Sequence, residues 1–389
     1  MPEEIKQEQP QEQEQKELKE EKDTAIELPT LDLENYEIPD AEAEEIKDES
    51  KGSMKFAFIG SGQCGSRLAE SFYKLGYKKV LALNTTPHDL KFIDLPENQK
   101  FFEDIGPRGA GKDMERGKSA VLQYQQEIFD KIAGIFGAVD HIFISFGCGG
   151  GSGSGSFLPL LEIAKRYLKY TGIKDPSNKV GVICTLPTDG EANSPLVKSN
   201  TENIISHLTA LTNKNDLAPA VIIDNNKIKK QYRGLTVKEF WPKINNTIAG
   251  LFHIFNLLSN QDSPYTSFDP VDYRSIIQST GFMILGLTGV KKYGEKQDIS
   301  NAVKQNLKKT LLAEEFDLET AKIAGSIAVG GKKIMSEAAG LMDNISYGFD
   351  CLSNLCKDAT LHRGVFEDDR ETLRIYTIIG GLKNLNRRF

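Results

Sequence analysis

A run of glycine and serine residues at positions 147–157, with the sequence GCGGGSGSGSF, is the part of this chain best suited to bind a charged ligand. Glycine has no Cβ, so the backbone N–H groups of such a run can come close to a phosphate. The alternative interpretation is a flexible linker, for which this composition is also typical. The residues predicted to surround the phosphate are Gly147, Gly149, Gly150, Gly151, Ser152, Gly153 and Ser154.

The segments on both sides of this run favour phosphate binding over a linker. Residues 141–146 are β-branched, aromatic and apolar, which predicts a buried strand. After the run, Leu158, Leu161, Ala164 and Leu168 recur at helical spacing and predict an amphipathic helix. The loop therefore leads into a helix N-terminus, where unpaired N–H groups and the helix dipole attract anions.

A second glycine loop, GSGQCG, follows the apolar segment 55–59 and precedes another predicted helix. Its G-x-G-x-x-G spacing is that of dinucleotide-binding loops. Such loops also require an acidic residue after the next strand. Here the next predicted strand, 79–83, is followed by Asn84 and Thr85. These neutral groups favour a phosphate or Mg²⁺ neighbourhood, and an NAD-dependent enzyme is the alternative. The predicted binding residues of this loop are Gly60, Ser61, Gly62, Gln63, Cys64 and Gly65.

These loops occur together, and in this order, in one family. An Asn-Thr-Thr turn stands at 84–86, a third glycine segment at 109–118, and the string GGGSGSG matches the tubulin signature. From about residue 55 to its C-terminus the sequence therefore resembles the tubulin/FtsZ superfamily of GTPases. The strings TLPTDGEA, IIDNNKI and IYTIIGGL make it most similar to the TubZ branch of plasmids and phages.

The resemblance implies an α/β fold and a ligand. The expected fold has a Rossmann-like parallel-sheet GTPase domain, a long central helix and a smaller α+β C-terminal domain. The expected ligand is GTP or GDP with Mg²⁺ carried by the nucleotide, so no protein metal ligands are predicted. Further implied contacts are Asn84 and Thr85 in the second loop, Gly109, Ala110 and Gly111 in the γ-phosphate loop, Glu191 on the ribose, and Asn225 and Asn245 on guanine.

The resemblance also assigns catalytic residues. The segment 267–272 resembles the family's N-x-D-x-x-D loop, with Ser267 in place of its asparagine and with Asp269 and Asp272 as the carboxylates. In the family this loop of one subunit covers the nucleotide of the next, so the acids would position or polarise the attacking water there. A second interpretation is a helix N-cap, because Asp269 followed by Pro270 is a favourable start for a helix. Both interpretations can hold together.

Composition limits the other classes of protein. The chain has 389 residues, enough for two subdomains, and no run of about 18 apolar residues that would span a membrane. The acidic N-terminus lacks the apolar core of a signal peptide. Five scattered cysteines without a C-x-x-C pair predict neither a disulfide framework nor a zinc site. These features predict a cytoplasmic protein.

Charge and hydropathy suggest where the domains lie. Residues 1–53 carry a net charge of −13 against −7 for the whole chain, which leaves +6 on the remaining 336 residues. Such an acidic, Gln- and Glu-rich segment predicts disorder, and it serves either as a docking motif or as a solvated spacer. The predicted units are a disordered N-terminal extension 1–53, a GTP-binding domain 54–237, a central helix 238–262, a C-terminal domain 263–382 and a short basic tail 383–389.

The C-terminal domain has a coarse predicted order of elements. Apolar runs at 281–287 and 373–379 predict strands, while 299–316 and 330–341 predict helices.

The function implied by the resemblance is that of a GTPase that assembles head to tail into dynamic filaments. TubZ-like proteins move plasmid or phage DNA through a separate DNA-bound adaptor, so the expected partners are further copies of this chain and such an adaptor. A net charge of +6 spread over the body predicts no direct contact with nucleic acid. The alternatives are an FtsZ- or CetZ-like role in division or cell shape, a GTP-binding regulator that does not polymerise, and an NAD-dependent enzyme.

Overall fold

A ten-stranded sheet organises the chain in a computed structural model, which describes residues 48–232, 234–308 and 316–383. Most strands are buried along most of their length, as expected for apolar strands covered on both faces. The strands are β1 (Phe56–Ser61), β2 (Val80–Asn84), β3 (Lys100–Phe102), β4 (His141–Gly147), β5 (Val180–Leu186), β6 (Ala220–Asp224), β7 (Phe282–Val290), β8 (Ile323–Gly331), β9 (Thr360–Asp368) and β10 (Leu373–Leu382).

Helices connect these strands and cover the sheet. Two 3₁₀ turns, Glu97–Gln99 and Leu318–Thr320, supplement them. The helices are α1 (Gly62–Lys74), α2 (Pro87–Leu90), α3 (Met114–Gln123), α4 (Gln125–Phe136), α5 (Ser152–Tyr170), α6 (Asp189–Ala192), α7 (Pro195–Asn213), α8 (Asn225–Gln231), α9 (Val237–Leu258), α10 (Pro270–Ile277), α11 (Lys296–Lys308), α12 (Lys332–Glu337) and α13 (Leu341–Leu355).

The first six strands run parallel in the order β3-β2-β1-β4-β5-β6. Their carboxyl ends therefore lie along one edge of the sheet. The chain order reverses between β1 and β4, where Ala57 pairs with Ile142. In open parallel sheets, ligands bind outside the carboxyl ends of the strands at such a reversal.

The core of this half is aromatic. The rings of Phe58 on β1 and Phe72 on α1 stack with centroids 3.8 Å apart, and Phe143 on β4 lies beside them. Phe252 of the long helix α9 contacts both Phe72 and Phe143. Burial of each of these rings contributes about 1.5–3 kcal/mol, so the central helix is fastened to the parallel half of the sheet.

The sheet continues into the C-terminal half, where β10 is antiparallel to both β7 and β8 and β9 is parallel to β8. The predicted strands at 281–287 and 373–379 are present as β7 and β10. The helix predicted at 330–341 is present but shorter, as α12: Gly330 and Gly331 end β8, and α12 stops at Glu337. The helix predicted at 299–316 is α11, which ends at Lys308, and residues 309–315 lie outside the described part. Strands β8 and β9 and helix α13 were not predicted.

The first described residues pack against the central helix. Asn256 on α9 is fully buried, and its side chain bonds to both the N–H and the C=O of Met54. The Ser53 and Ser259 hydroxyls are 2.7 Å apart. The predicted extension 1–53 lies outside the described residues up to position 47, and 48–53 contact the body. The domain boundaries stay a prediction, and the basic tail beyond Lys383 also lies outside the described part.

None of the helices in the described ranges is both long enough and apolar enough to cross a membrane.

Candidate functional site

A cleft of about 560 Å³ opens at the carboxyl edge of the parallel strands. It gathers loops that are far apart in the sequence, namely those after β1, β2, β3, β4, β5 and β6, together with the start of α9. Fifteen of the predicted nucleotide contacts line it: Ser61, Gly62, Gln63, Cys64, Asn84, Gly111, Gly147, Gly149, Gly150, Gly151, Ser152, Gly153, Glu191, Asn225 and Asn245.

The first loop passes directly from β1 into α1. Gly62 has a φ of +69°, which favours glycine, and it turns the chain into the helix. Gly60 and Gly65 do not line the cleft. A Cβ on Gly65 would lie 1.9 Å from the carbonyl oxygen of Ser145, so this glycine lets α1 pack directly on β4. Gly60 and Gly65 therefore support the loop by close packing and do not face the cleft.

The glycine-rich run forms the floor of the cleft between β4 and α5. The Ser154 hydroxyl donates to the carbonyls of Gly147 and Cys148, at 3.0 and 2.7 Å, so it holds the loop and does not face the cleft. Gly150 is different, because a Cβ there would meet only the Gly147 carbonyl oxygen, at 3.9 Å. The cleft above Gly150 is therefore open to a ligand, at the N-terminus of a 19-residue helix.

The third loop is tied to this floor. The Thr85 hydroxyl accepts a hydrogen bond from the Ala110 N–H at 3.0 Å and lies 2.6 Å from the Ser152 hydroxyl. Thr85, Gly109 and Ala110 thus lie behind the cleft wall, and Gly111, with a φ of +59°, is the glycine that lines it. Buried Asn200 on α7 donates its Nδ2 to the carbonyls of Lys112 and Gly150, at 2.8 and 3.2 Å.

One end of the cleft presents amides and a ring. Asn225 begins α8, Asn245 lies on α9, and both are at least 91% buried. The Oδ1 atom of Asn225 has no hydrogen-bond partner among the described residues. Trp241 on α9 also lines this end. It is the one tryptophan of the sequence, and its place four residues before Asn245 was a signal that the sequence prediction did not use.

Glu191 lines the cleft, but it also performs a local structural task. Its Oε2 accepts hydrogen bonds from the N–H and the hydroxyl of Thr188, at 2.7 and 2.8 Å. Together with the bond from the Glu191 N–H to the Thr188 hydroxyl, these form a capping box at the start of α6. A ribose contact by Glu191 would therefore fall to Oε1.

Sequence reasoning missed four of the five charged side chains that line the cleft. Arg67, Arg108, Lys112 and Asp89 all line it. Asp89 accepts hydrogen bonds from the Gln63 and Asn84 amides, at 3.3 and 3.2 Å. The three cations lie next to glycine loops in the sequence, and this proximity could have indicated their role. Charged residues, however, show no periodicity that would distinguish a cleft from a solvated surface.

Asp269 and Asp272 lie outside the cleft, at the N-terminus of α10. The Oδ1 of Asp269 accepts from the N–H groups of Val271 and Asp272, at 2.7 and 2.9 Å, and the Oδ2 of Asp272 accepts from the Asp269 N–H. Asp272 also lies 2.6 Å from Nδ1 of His362 on β9. The N-cap that the sequence predicted as the second interpretation is thus present.

Helix α10 packs at the opposite end of the sheet from the cleft. Arg274 pairs with Asp140 at 3.4 Å, and Asp140 precedes β4 and accepts the N–H of Lys55, which precedes β1. Tyr273 also contacts Phe56, the first residue of β1. The six residues of β1 span about 20 Å at 3.3 Å each, so these acids are separated from the cleft of their own chain.

The cleft fits a purine nucleotide in two respects. An open space above Gly150, at a helix N-terminus with Arg and Lys side chains nearby, suits phosphates. A buried Asn225 oxygen without a partner suits a donor on a base, because an unsatisfied buried polar atom costs about 1–3 kcal/mol. No group of three His, Cys, Asp or Glu side chains able to hold a metal occurs in the part of the chain that the structure describes.

Comparison with known proteins agrees with this geometry. Residues 55–233 match the Tubulin/FtsZ family, GTPase domain. The tubulin-like protein TubZ of Bacillus cereus is 24% identical over 377 residues, covering 87% of this chain and 81% of that protein. The tubulin-like protein CetZ of Thermococcus kodakarensis is 26% identical over 338 residues, covering 85% and 82%.

A solved structure shares the fold. The GTPγS-form protofilament of Bacillus thuringiensis serovar israelensis TubZ matches with a TM-score of 0.72 at 19% identity, over 87% of this chain and 90% of that one. The chain is thus similar to tubulin-like GTPases over most of its length, and its residues 55–233 match the GTPase domain of the Tubulin/FtsZ family. The predicted family and fold class are confirmed.

Proposed function

We propose that this protein binds GTP in the cleft described above and hydrolyses it between two copies of the chain. The phosphates lie over Gly150 and the N-terminus of α5, and the base lies against Trp241 between Asn225 and Asn245. Backbone N–H groups and the helix dipole stabilise the phosphate charge. An asparagine amide offers both a donor and an acceptor, which suits the edge of guanine.

The second copy supplies the acids. Asp269 and Asp272 lie near the amino ends of β1 and β4, whereas the cleft is at the carboxyl ends, and this observation carries the proposal. A copy stacked along the strand direction brings its α10 to the cleft of its neighbour. Repeated stacking in one direction produces an open filament. The carboxylates then position or polarise the attacking water, which is the main protein contribution to phosphoryl transfer.

Mg²⁺ would enter the cleft with the nucleotide, because this cation usually keeps several waters and binds through the phosphates of a substrate. When bound, it neutralises charge on the phosphates. Asp89 lines the cleft and would be the carboxylate that contacts such an ion through a water molecule.

The process served by the filament is DNA segregation in the cytoplasm. The similarity to TubZ supports this assignment, with a separate DNA-bound adaptor as the partner that connects the filament to its cargo. A role in cell shape or division is the second candidate, because the CetZ relative aligns over a comparable share of the chain at 26% identity.

The test of the enzyme is GTP turnover per subunit across a series of protein concentrations, with light scattering recorded in parallel. A site completed by a second copy requires specific activity to rise above a threshold concentration, at which scattering also appears. Constant specific activity without scattering would contradict the filament and the shared site. The test of the process is co-sedimentation of filaments with candidate adaptor–DNA complexes.

A further inference from the structure

We infer that the acidic segment 23–46 of one copy binds a group of exposed lysines at the cleft end of the next copy. Lys229 and Lys230 on α8 and Lys238 and Lys243 on α9 form this basic patch. The inference rests on the proposed function, because it places two copies end to end along the strands. It gives the N-terminal extension a partner within the filament.

Segment 23–46 combines negative charge with apolar side chains. It contains nine aspartate and glutamate residues and no lysine or arginine. A spacer that only has to remain solvated does not require large apolar residues, whereas a segment that becomes ordered on binding must bury some of them. The composition therefore favours a segment that binds a surface. The large apolar residues that stand among the acids are Ile26, Leu28, Leu31, Leu33, Tyr36 and Ile38.

The described part of the chain begins at the end of the molecule opposite the cleft. Asp48 accepts a hydrogen bond from the Lys78 N–H at 2.8 Å, and Glu49 pairs with the Lys78 ammonium at 3.3 Å. Lys78 lies just before β2, at the amino ends of the parallel strands, and residues 48–53 also contact the last turn of α9. Segment 23–46 therefore starts from the same end of the copy as α10.

The basic patch lies at the other end of α9, around the mouth of the cleft. Helix α8 begins directly after β6, and the first half of α9 carries Trp241, which lines the cleft. Residues 225–247 contain six lysine and arginine residues but a single acid, Glu239. Its carboxylate accepts the Thr236 hydroxyl at 2.6 Å. Within residues 48–232, 234–308 and 316–383, the four patch lysines form no ion pair, so their charge is available to an anionic partner.

The surface beside the patch also offers apolar area. Leu196 in the first turn of α7 is 49% exposed. The loop before α7 is held to α8 by a hydrogen bond from the Asp189 N–H to the Asn226 Oδ1, at 3.0 Å. Cations and an exposed leucine thus occur in one region, which matches a segment in which acids and apolar residues are mixed.

The length of α9 favours binding between copies over binding within one copy. Its 22 residues span about 33 Å, and segment 23–46 would have to cover that length to reach the patch of its own copy. In the proposed stack, the amino ends of the strands of one copy face the cleft of the next. The origin of the segment and the neighbouring patch then meet at one boundary, and a shorter connection costs less chain entropy.

The first experiment measures the critical concentration for assembly with GTPγS, by light scattering of the full chain. Exposed ion pairs are individually weak, so Lys229→Gln combined with Lys230→Gln should raise the critical concentration about fivefold at low salt. At about 0.5 M salt, where the Debye length is roughly 4 Å, the variant and the wild type should agree. Lys296→Gln combined with Lys304→Gln, which removes two exposed lysines from α11, is the matched control and should change nothing.

A cycle of variants tests whether the two surfaces meet. Replacing the nine acids of segment 23–46 by their amides should raise the critical concentration at least as much as the lysine changes do. Adding Lys229→Gln and Lys230→Gln to that variant should then have no further effect, because the interaction is already lost. Additive effects of the two sets of changes would mean that the segment and the patch do not interact.

The second experiment identifies which copy is bound. Unlabelled and ¹⁵N-labelled protein are assembled together and treated with a carbodiimide, which joins a carboxyl group to an amine as an amide while the reagent takes up the water. Mass spectrometry should find unlabelled segment 23–46 joined to labelled Lys229 or Lys230.

Other results would overturn the inference. Cross-links within one isotope only would place the segment on its own copy. Loss of DNA binding in the lysine variant, without a change in its critical concentration, would assign the patch to nucleic acid. A wild-type chain that never scatters light with GTPγS would refute the proposed filament itself, so the two failures are distinguishable.

Discussion

Nδ1 of His362 on β9 lies 2.6 Å from Oδ1 of Asp272, so the loop that carries the two proposed catalytic acids is braced by the edge strand of the C-terminal half. The same carboxylate caps Asp269, and Asp269 caps α10. These acids therefore have a structural task within their own chain besides the proposed task in the next. A variant that only unfolds α10 would mimic a catalytic defect, and the first experiment has to separate the two.

Replacing Asp269 by asparagine should separate them. Asparagine is as good an N-cap as aspartate, so the helix start and the thermal midpoint should be retained. The charge that orients water is lost, and GTP turnover should fall about 100-fold while GTP affinity is unchanged. His362→Gln is the control, because it removes the brace and leaves both carboxylates. A loss of GTP affinity in Asp269→Asn would contradict an acid that acts on the neighbouring copy.

A mixture of two inactive variants should regain activity. Asp272→Asn keeps the cleft but lacks an acid, whereas Gly150→Val keeps the acids but fills the space over the phosphate loop. If acids act between copies, the cleft of the first can pair with the acids of the second. Turnover of the mixture should exceed the sum of the separate samples. No gain, in a mixture that sediments as a copolymer, would place the acids on their own nucleotide.

The loops were predictable because their chemistry restricts the residue type. Only glycine fits at Gly65 against the Ser145 carbonyl, and only glycine leaves the space above Gly150 open. Both positions therefore require glycine, and the requirement is visible in the sequence. The N-cap at Asp269 was equally readable, because capping depends on local geometry. Roles that depend on distant contacts were not readable, such as the bridge from Asn200 to the carbonyls of Lys112 and Gly150.

The dependence on distant contacts also explains why strand β8 in the C-terminal half was not predicted. Segment 323–331 is rich in small residues and has no clear period, so its strand forms through its neighbours, β10 on one side and β9 on the other. A Cβ on Gly331 would lie 2.0 Å from the Arg370 carbonyl oxygen, which explains a glycine at the end of β8. Strand formation depends on packing between distant segments more than on intrinsic preference.

Gly150→Ala should weaken nucleotide binding without weakening the fold. Its Cβ would meet only one protein atom, at 3.9 Å, and would project into the phosphate space. We expect GTP affinity to fall about tenfold or more, the cost of one lost bond to a charged group, and the thermal midpoint to be kept. Gly134→Ala in α4, where nothing lies within 4 Å, is the control and should bind normally. Equal GTP affinities of the two variants would mean that the phosphates do not bind at this loop.

Asn225→Ala should weaken GTP binding while leaving the stability of the nucleotide-free protein nearly unchanged. The buried Oδ1 has no partner in the described residues, so its removal breaks no hydrogen bond of the oxygen within the protein. With GTP bound, the same oxygen gains a donor, and its loss should lower affinity about tenfold. Calorimetric titration with GTP and ATP provides the measurement. An unchanged preference for GTP over ATP would assign guanine recognition to other residues.

Glu103, directly after β3, predicts a pH dependence of stability. It is buried, its two carboxyl oxygens have no hydrogen-bond partner among the described residues, and its N–H donates to the Asn84 carbonyl at 3.0 Å. Burial raises the pKa of Glu103 from 4.5 to about 8. The folded chain therefore favours the protonated acid. Its contribution is complete below about pH 4.5 and is lost as the pH rises through about 8.

Glu103→Gln mimics the protonated acid at every pH and should remove this loss. The free energy of unfolding of the variant should exceed that of the wild type increasingly from pH 5 to pH 8, by up to about 1.4 kcal/mol per pH unit. Urea titrations at pH 5, 7 and 9 measure the difference. Glu202→Gln, on the exposed side of α7, is the control and should shift no curve. A constant difference between Glu103→Gln and wild type would mean that Glu103 does not titrate in this range.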